Sequence, residues 1–327
     1  MPANLTPAYE KADQRYKAAS TDEERLDALR EMLSTIPKHK GTEKMQADIK
    51  RRMSQMRKSA AKKSAVSKGP DPFHVPKTGA GQVVLVGPPN VGKSSLVATT
   101  TNAPVKVAPY PYTTTLPVPG MWSYEDVQIQ LVDTPPVTPE HVPGGLMGTL
   151  RGADVLVLVV DAAEDPLEQA EGVLGLLASR NVEPVTVPNA ELDPLTPARM
   201  SALIVANKAD LAPPENIATL RDLYQGRLEV IPVSAASGEG LTDLLRRLWE
   251  LLSIIRVYTK EPGKPADKER PYTLSVGSTI EDLASEIHRD LPGLMKYARV
   301  WGDGRFAGQQ VHRTETLRDK DIVEIHQ

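Results

Sequence analysis

The chain has 327 residues, six histidines, no cysteine and a formal charge of −3. Disulfides and thiolate chemistry are excluded, no run approaches the ~18 consecutive apolar residues of a membrane span, and the polar N-terminus is no signal sequence, so a cytoplasmic protein of two or three domains is expected. The charge is uneven: residues 38–68 carry eleven Lys/Arg against two acids, Glu43 and Asp48, so one segment is built to meet an anion while the remainder is acidic.

Residues 1–68 are expected to form a helical basic arm and linker. Ser20 or Thr21 caps a helix, answered by Glu23 or Glu24. Leu26, Leu29, Leu33 and Ile36 make its stripe before Pro37 stops it. A second helix begins after Gly41-Thr42 and puts Met45, Ile49, Met53 and Met56 on one face. "SAAKKSAVSKGPDP" reads as a linker. From 80 to 256 short apolar runs alternate with helices: "QVVLVG", "VQIQLVD", "VLVLVVDA", "ALIVANK" and "LEVIPVSA". Runs that are apolar throughout predict an α/β fold, a doubly wound, mostly parallel sheet covered on both faces. "EGLTDLLRRLWELLSII" is expected to close it as an amphipathic helix. Residues 257–327 read as a third region of strands, "KYARVWG" and "DIVEIHQ" among them, around one helix. Ser278-Thr279-Ile280-Glu281 is its expected capping box, with Ile280, Leu283 and Ile287 facing the core.

Three short stretches carry chemistry. "GPPNVGKS" (87–94) follows a strand and opens a helix. Gly87 and Gly92 let the backbone from Gly87 through Pro88, Pro89, Asn90 and Val91 to Ser95 wrap phosphates, Lys93 reaches the β- and γ-phosphates, and the Ser94 hydroxyl ligates Mg²⁺. Asp133, ending "VQIQLVD", is the second magnesium residue. In "NKAD" (207–210), Asp210 can accept two hydrogen bonds from the guanine edge, Asn207 supports the loop and the Lys208 stem packs along the base; adenine offers no matching donor pair. In "SAASGEG" (234–240), the backbone of Ser234, Ala235 and Ala236 can contact guanine O6. Each stretch alone also reads as an ordinary turn or cap. Their order along the chain makes the set specific for GTP and GDP.

With these motifs in order, the chain resembles an Obg-type GTPase and, among those, the developmentally regulated GTP-binding (DRG) proteins. "YPYTTTLPVPG" (110–120) is similar to their switch I, so the resemblance makes Thr114 the threonine that completes magnesium coordination in the GTP state. "IPKHKGTEK" resembles their N-terminal element. "IRVYTKEPGKPAD", "GSTIEDLASEIHRDL", "KYARVWG" and "LRDKDIVEI" resemble the TGS domain, a ubiquitin-like β-grasp module. The resemblance runs from about residue 30 onward and implies a translation-linked GTPase that meets ribosomes or structured RNA, with a protein partner through the TGS domain. Asn90 matches the asparagine of potassium-stimulated relatives, where K⁺ stands in for an arginine finger; an asparagine shaping a tight turn is the alternative.

Two departures bear on function. The stretch 162–200 is too short for the extra subdomain of DRG proteins. "TPPVTPEHVPGG" replaces a Gly-rich switch II: Pro136 has no N–H for a γ-phosphate, and Val137 stands where Ras-like enzymes keep the glutamine that orients water. Gly144 and Gly145 are candidates to supply the missing flexibility, and His141 is expected to face solvent. Slow hydrolysis follows, with catalysis resting on Lys93, Thr114 and Asn90. Residues 38–68 and Arg289, Lys296, Arg299, Arg305 and Arg313 are candidate phosphate-backbone contacts, the alternative being solvated charge. Nothing indicates a membrane or DNA. The rival readings are a nucleotide-binding adaptor that does not switch, and an interaction protein with a vestigial phosphate loop; intact Lys93, Ser94 and Asp210 stand against the latter.

Overall fold

The apolar runs form the strands they predict. The computed structural model describes residues 7–18, 22–36, 42, 45, 46, 49, 51, 53, 71–101, 115–139, 141–196 and 198–327. The chain divides into two compact units, Met1–Asp71 and Pro72–Gln327.

In the first unit, α1 (Pro7–Ala18) and α2 (Asp22–Thr35) close on a small core of Tyr9, Ala12, Leu29, Met32, Ile36 and Ile49, with Leu33, Met45 and Met53 against it. Leu29, Ile36 and Ile49 of the expected stripes enter this core, joined by Tyr9, Ala12 and Met32, which the stripes did not include; the Leu26 side chain lies outside the described residues. Ser20, Thr21, Pro37, Met56 and most of the basic stretch 38–68 lie outside the described residues.

The second unit opens with β1 (Gln82–Val86), α3 (Lys93–Thr100), β2 (Val118–Tyr124), β3 (Val127–Asp133), α4 (Leu146–Gly152) and β4 (Val155–Asp161). It continues through α5 (Pro166–Ser179), β5 (Glu183–Val185), β6 (Arg199–Asn207), α6 (Pro214–Tyr224), β7 (Val230–Pro232) and α7 (Leu241–Leu252). These strands make a seven-stranded sheet ordered β2-β3-β1-β4-β6-β5, with β7 also on β6. All pairings are parallel except β2 with β3. Val83 and Leu85 enter the core under α3 and α7, while Val84 and Val86 enter the one under α4, α5 and α6. Burial on both faces is why the strands read as unbroken apolar runs. Among the described residues between β4 and β6 the elements are α5, the three-residue β5 and a short 3₁₀ turn at Asn189–Glu191, with no additional subdomain among them.

The expected closing helix is shorter than its apolar pattern. α7 stops at Leu252, Ser253 takes a left-handed φ of 55°, and Ile254 and Ile255 begin β8 (Ile254–Lys260) of the next sheet. The boundary expected after residue 256 therefore falls inside a strand. β9 (Ala266–Ser275), α8 (Ile280–Ile287), α9 (Leu291–Leu294), β10 (Tyr297–Trp301), β11 (Gln309–Val311) and β12 (Asp321–His326) complete a five-stranded sheet ordered β11-β10-β12-β8-β9. The cap of α8 sits one residue later than predicted: Thr279 accepts from the Asp282 N–H and Asp282 answers the Thr279 N–H. Ile280 and Leu283 are buried in the core of this second sheet, with Ile287 packed against it.

The two sheets meet at Arg256, the largest fully buried side chain among the described residues. Its guanidinium donates to Glu125 at 2.5 Å and Asp126 at 2.9 Å, both in the β2–β3 turn, and to Asp319 at 2.6 Å. It also lies 5.0 Å from the Trp249 ring centroid, and Trp249 stacks on Tyr124 at 4.8 Å. No helix among the described residues is long and apolar enough to cross a membrane.

Candidate nucleotide site

The loops that leave β1, β3, β6 and β7 at their carboxyl ends carry the predicted motifs, which is where open α/β sheets bind ligands. The loop 87–92 turns on residues whose backbone or space excludes alternatives. Gly92 has φ 90°, and a Cβ on it would meet Asn207 Nδ2 at 2.2 Å; a Cβ on Gly87 would meet the Val159 carbonyl at 2.3 Å. Pro88 and Pro89 are partly exposed, Val91 is buried and Ser95 is partly buried.

Lys93 folds back into this loop and donates to the carbonyls of Gly87 at 2.9 Å and Pro88 at 2.7 Å. Burial draws its pKa down to about 8, and the Asp133 carboxylate pulls in the other direction. The Ser94 hydroxyl donates to Asp133 Oδ2 at 2.6 Å, so the two residues assigned to Mg²⁺ converge from α3 and β3. An alcohol and a carboxylate are the hard oxygen donors that magnesium takes. Among the described residues no cluster of three or more His, Cys, Asp or Glu could hold a metal by itself.

Asn207 joins three loops. Its Nδ2 donates to the Val91 carbonyl at 2.8 Å and its Oδ1 accepts from the Ala235 N–H at 3.1 Å. Thr99 adds a bond to the Ala235 carbonyl at 3.0 Å. Lys208 pairs with Asp161, and Asp210 is exposed at the loop rim. The Ser234 N–H bonds the Glu239 carbonyl and that of Ala235 is held by Asn207; Ala236 is exposed.

Residues 82–190 match the family described as 50S ribosome-binding GTPase, and residues 255–327 match the TGS domain. An uncharacterized GTP-binding protein of Halobacterium salinarum is 29% identical over 364 aligned positions, covering 93% of this chain and 98% of that protein. A GTP-binding protein of Methanocaldococcus jannaschii is 27% identical, covering 93% and 92%. Human developmentally-regulated GTP-binding protein 2 is 26% identical, covering 92% and 98%. This chain is a P-loop GTPase domain joined to a TGS domain, homologous to the developmentally regulated GTP-binding proteins. The aligned length of 364 positions exceeds the 327 residues here, so the relative carries segments that this chain lacks, in keeping with the short β4–β6 connection.

The GTPase domain holds the stretch expected to begin switch II against the phosphate loop. The Thr134 hydroxyl donates to the Leu85 carbonyl at 2.6 Å, and the Val137 N–H donates to the Gly87 carbonyl at 3.1 Å. Pro136 is buried between them, and Val137 is 1% exposed in the core. Val137 thus faces the core, a role its apolar character signalled. Further on, Gly144 has open space around it, and Gly145 has φ 94° and caps α4. His141 is exposed. Asn90 is exposed and left-handed, φ 64°, a conformation asparagine tolerates better than most residues. Thr114 lies outside the described residues.

On the TGS domain, Arg289, Lys296 and Arg299 are exposed as expected. Arg305 is not. Its side chain is 5% exposed, pairs with Glu315 at 2.7 Å and Asp321 at 3.3 Å, and bonds the Thr316 carbonyl, so it braces a loop. Arg313 lies 3.8 Å from Glu281. Asp161, at the end of β4, pairs with Lys208 and was not singled out from the sequence, where its one signal was its place at the end of an apolar strand.

Proposed function

We propose that this chain binds GTP and GDP with Mg²⁺ and hydrolyses GTP slowly to GDP and phosphate. A water oxygen bonds to the γ-phosphorus as the β–γ bridging bond breaks; the electron pair leaves with GDP, and the water protons pass to phosphate and solvent. Ser94 and Asp133 would hold the ion, joined by Thr114 in the GTP state. Bound there, the ion neutralises charge on the phosphates. Lys93 would exchange its carbonyl partners for phosphate oxygens, and Asp210 would read the guanine edge. The observation that supports this reading most is Asn207, which ties the phosphate loop to the loop expected at guanine O6.

Slowness follows from Val137, which is in the core and leaves no side chain there to orient water. Asn90 is the residue through which K⁺ would accelerate the step. The description of the matched family as ribosome-binding supports a ribosome or structured RNA as the partner, with a cytoplasmic location. The basic arm and the TGS surface at Arg289, Lys296 and Arg299 are the candidate contacts, and the TGS domain a site for a protein partner.

The test is GTP turnover by the full chain in NaCl and in KCl, with and without ribosomes. Turnover raised by ribosomes or K⁺ is expected; no guanine nucleotide binding at all would refute the proposal. A second reading, a nucleotide-binding adaptor that does not switch, is favoured by Pro136 and the Val137–Gly87 bond. It predicts ribosome binding that is equal with GDP and with a GTP analogue.

A further inference from the structure

The turn after β4 is fixed from three sides. The Asp161 N–H donates to Gln169 of α5 at 2.8 Å, and the Asp161 carboxylate accepts from the Ala163 N–H at 3.0 Å. Asn216 of α6 donates to the carbonyls of Ala162 at 2.8 Å and Glu164 at 3.0 Å. The Ala162 N–H bonds the Asn207 carbonyl at 2.8 Å. The turn aims one carboxylate, with its side chain 5% exposed, at the Lys208 ammonium. Lys208 itself has a left-handed φ of 60°, a conformation that a residue with a Cβ adopts only when its surroundings impose it.

A buried carboxylate needs a cation or several donors, and a lysine would satisfy that need from many positions. Here the partner is the one lysine expected to lie along the base. Fixing both ends of a lysine stem removes in advance the rotamer freedom it would otherwise lose when a base packs on it. We infer that Asp161 is a positioning residue for purine binding: it anchors Lys208 Nζ so that the methylene stem stands as a preformed wall beside the ring. Asp210 then reads the edge of a base already seated. The inference rests on the nucleotide-binding reading above.

A wall beside the ring acts on every purine alike, whereas an edge reader discriminates among them. Dissociation constants for GDP and inosine diphosphate, measured with the full chain, test this. Asp161→Asn keeps the volume and an acceptor for Ala163, so the turn is retained. It is expected to weaken both nucleotides by the same factor, roughly fivefold to tenfold for a partly buried charge-assisted bond. In a Lys208→Met background the same change is expected to have no further effect, because the anchored group is already gone. Asp210→Asn, by contrast, shifts the ratio between the two nucleotides. Equal weakening by Asp161→Asn in both backgrounds would make Asp161 merely structural and overturn the inference. Parent-like affinity in Asp161→Asn would overturn it as well. Thermal melts of each variant without nucleotide separate a fold defect from lost positioning: a lower melting temperature without coupling to Lys208 counts against the inference. A parent chain that binds neither diphosphate removes the nucleotide reading itself, and this one with it.

Discussion

At Lys93, the fold works against the charge that the chemistry requires. Burial lowers its pKa to about 8 from the ordinary 10.5, and two loop carbonyls hold the ammonium meanwhile. A lysine whose folded pKa is depressed binds its proton more weakly in the folded chain than in the unfolded one. The nucleotide-free protein therefore gains stability as pH rises from about 8 to 10.5, and the full cost of the buried charge is present below that window. Lys93→Met is expected to melt higher than the parent near neutral pH without nucleotide, to lose the alkaline gain, and to lose protection by GDP. Melts at neutral and alkaline pH, with and without GDP, decide it; a variant no more stable than its parent would mean that the carbonyl bonds fully offset burial. Asp210 makes the complementary case. It is exposed, so Asp210→Asn leaves folding alone while replacing an acceptor pair with a donor and an acceptor. Preference is expected to move from guanosine toward xanthosine nucleotides, measured by competitive titration; no gain for xanthosine would mean that another group reads the base.

The segment from Thr134 to Val137, proposed as the start of switch II, is held by its own bonds. Its bonds to Leu85 and Gly87 keep it alongside the phosphate loop, and proline at 136 has no N–H to offer the γ-phosphate that the proposed function places there. A hydrogen bond to a charged group contributes about 1.5–3 kcal/mol, so Pro136→Gly is expected to raise GTP affinity relative to GDP by roughly tenfold to a hundredfold. The ratio of the two dissociation constants in parent and variant measures it; a parent that already favours GTP strongly, unchanged in the variant, would assign the task to another donor near Gly144-Gly145. This restraint was half legible. The missing N–H follows from the residue type, but the Val137–Gly87 bond depends on how β1 and β3 lie side by side. The same division holds elsewhere. Doubly covered strands such as Val155–Asp161 announce themselves, whereas β2, which contains Pro119 and Gly120 on a half-exposed edge, does not. The run from Leu251 to Ile255 fits helix and strand alike, and only the left-handed Ser253 divides it. Arg305 read as a surface cation because its partners, Glu315 and Asp321, arrive from later in the chain.

Across the whole second unit, Arg256 is the most buried of the side chains that join the GTPase and TGS domains, with Tyr258 on Asp126 and Lys320 on Glu125 beside it. It belongs to the first TGS strand, yet two of its three carboxylate partners sit in the turn that follows β2, and β2 itself follows the stretch expected to be switch I. Burial opposes its charge, but bonds from Asp319, Glu125 and Asp126 outweigh that and raise its pKa above the ordinary arginine value. The acids respond in kind. Arg256 bonding lowers Glu125, while at Asp126 and Asp319 burial works upward and is overcome by hydrogen bonds that include those from Arg256. Acids with depressed folded pKa values contribute stability that is present above their unfolded values of 3.8 to 4.5 and is lost as pH falls through the folded ones. Removing the shared cation leaves three partly exposed carboxylates close together and is expected to cost more than removing any one of them. Removing one half-exposed partner, as in Glu125→Gln, costs under about 1 kcal/mol because solvent screens it. Arg256→Met should therefore fall far below Glu125→Gln in urea unfolding at neutral pH, and should lose less of its remaining stability than the parent on acidification below about pH 4. It should also divide one calorimetric transition into two if the joint couples unfolding of the TGS sheet to that of the β2–β3 hairpin. A single transition and a loss no larger than that of Glu125→Gln would show that contacts other than the ion cluster, such as Tyr258 with Asp126 and Lys320 with Glu125, hold the two domains together.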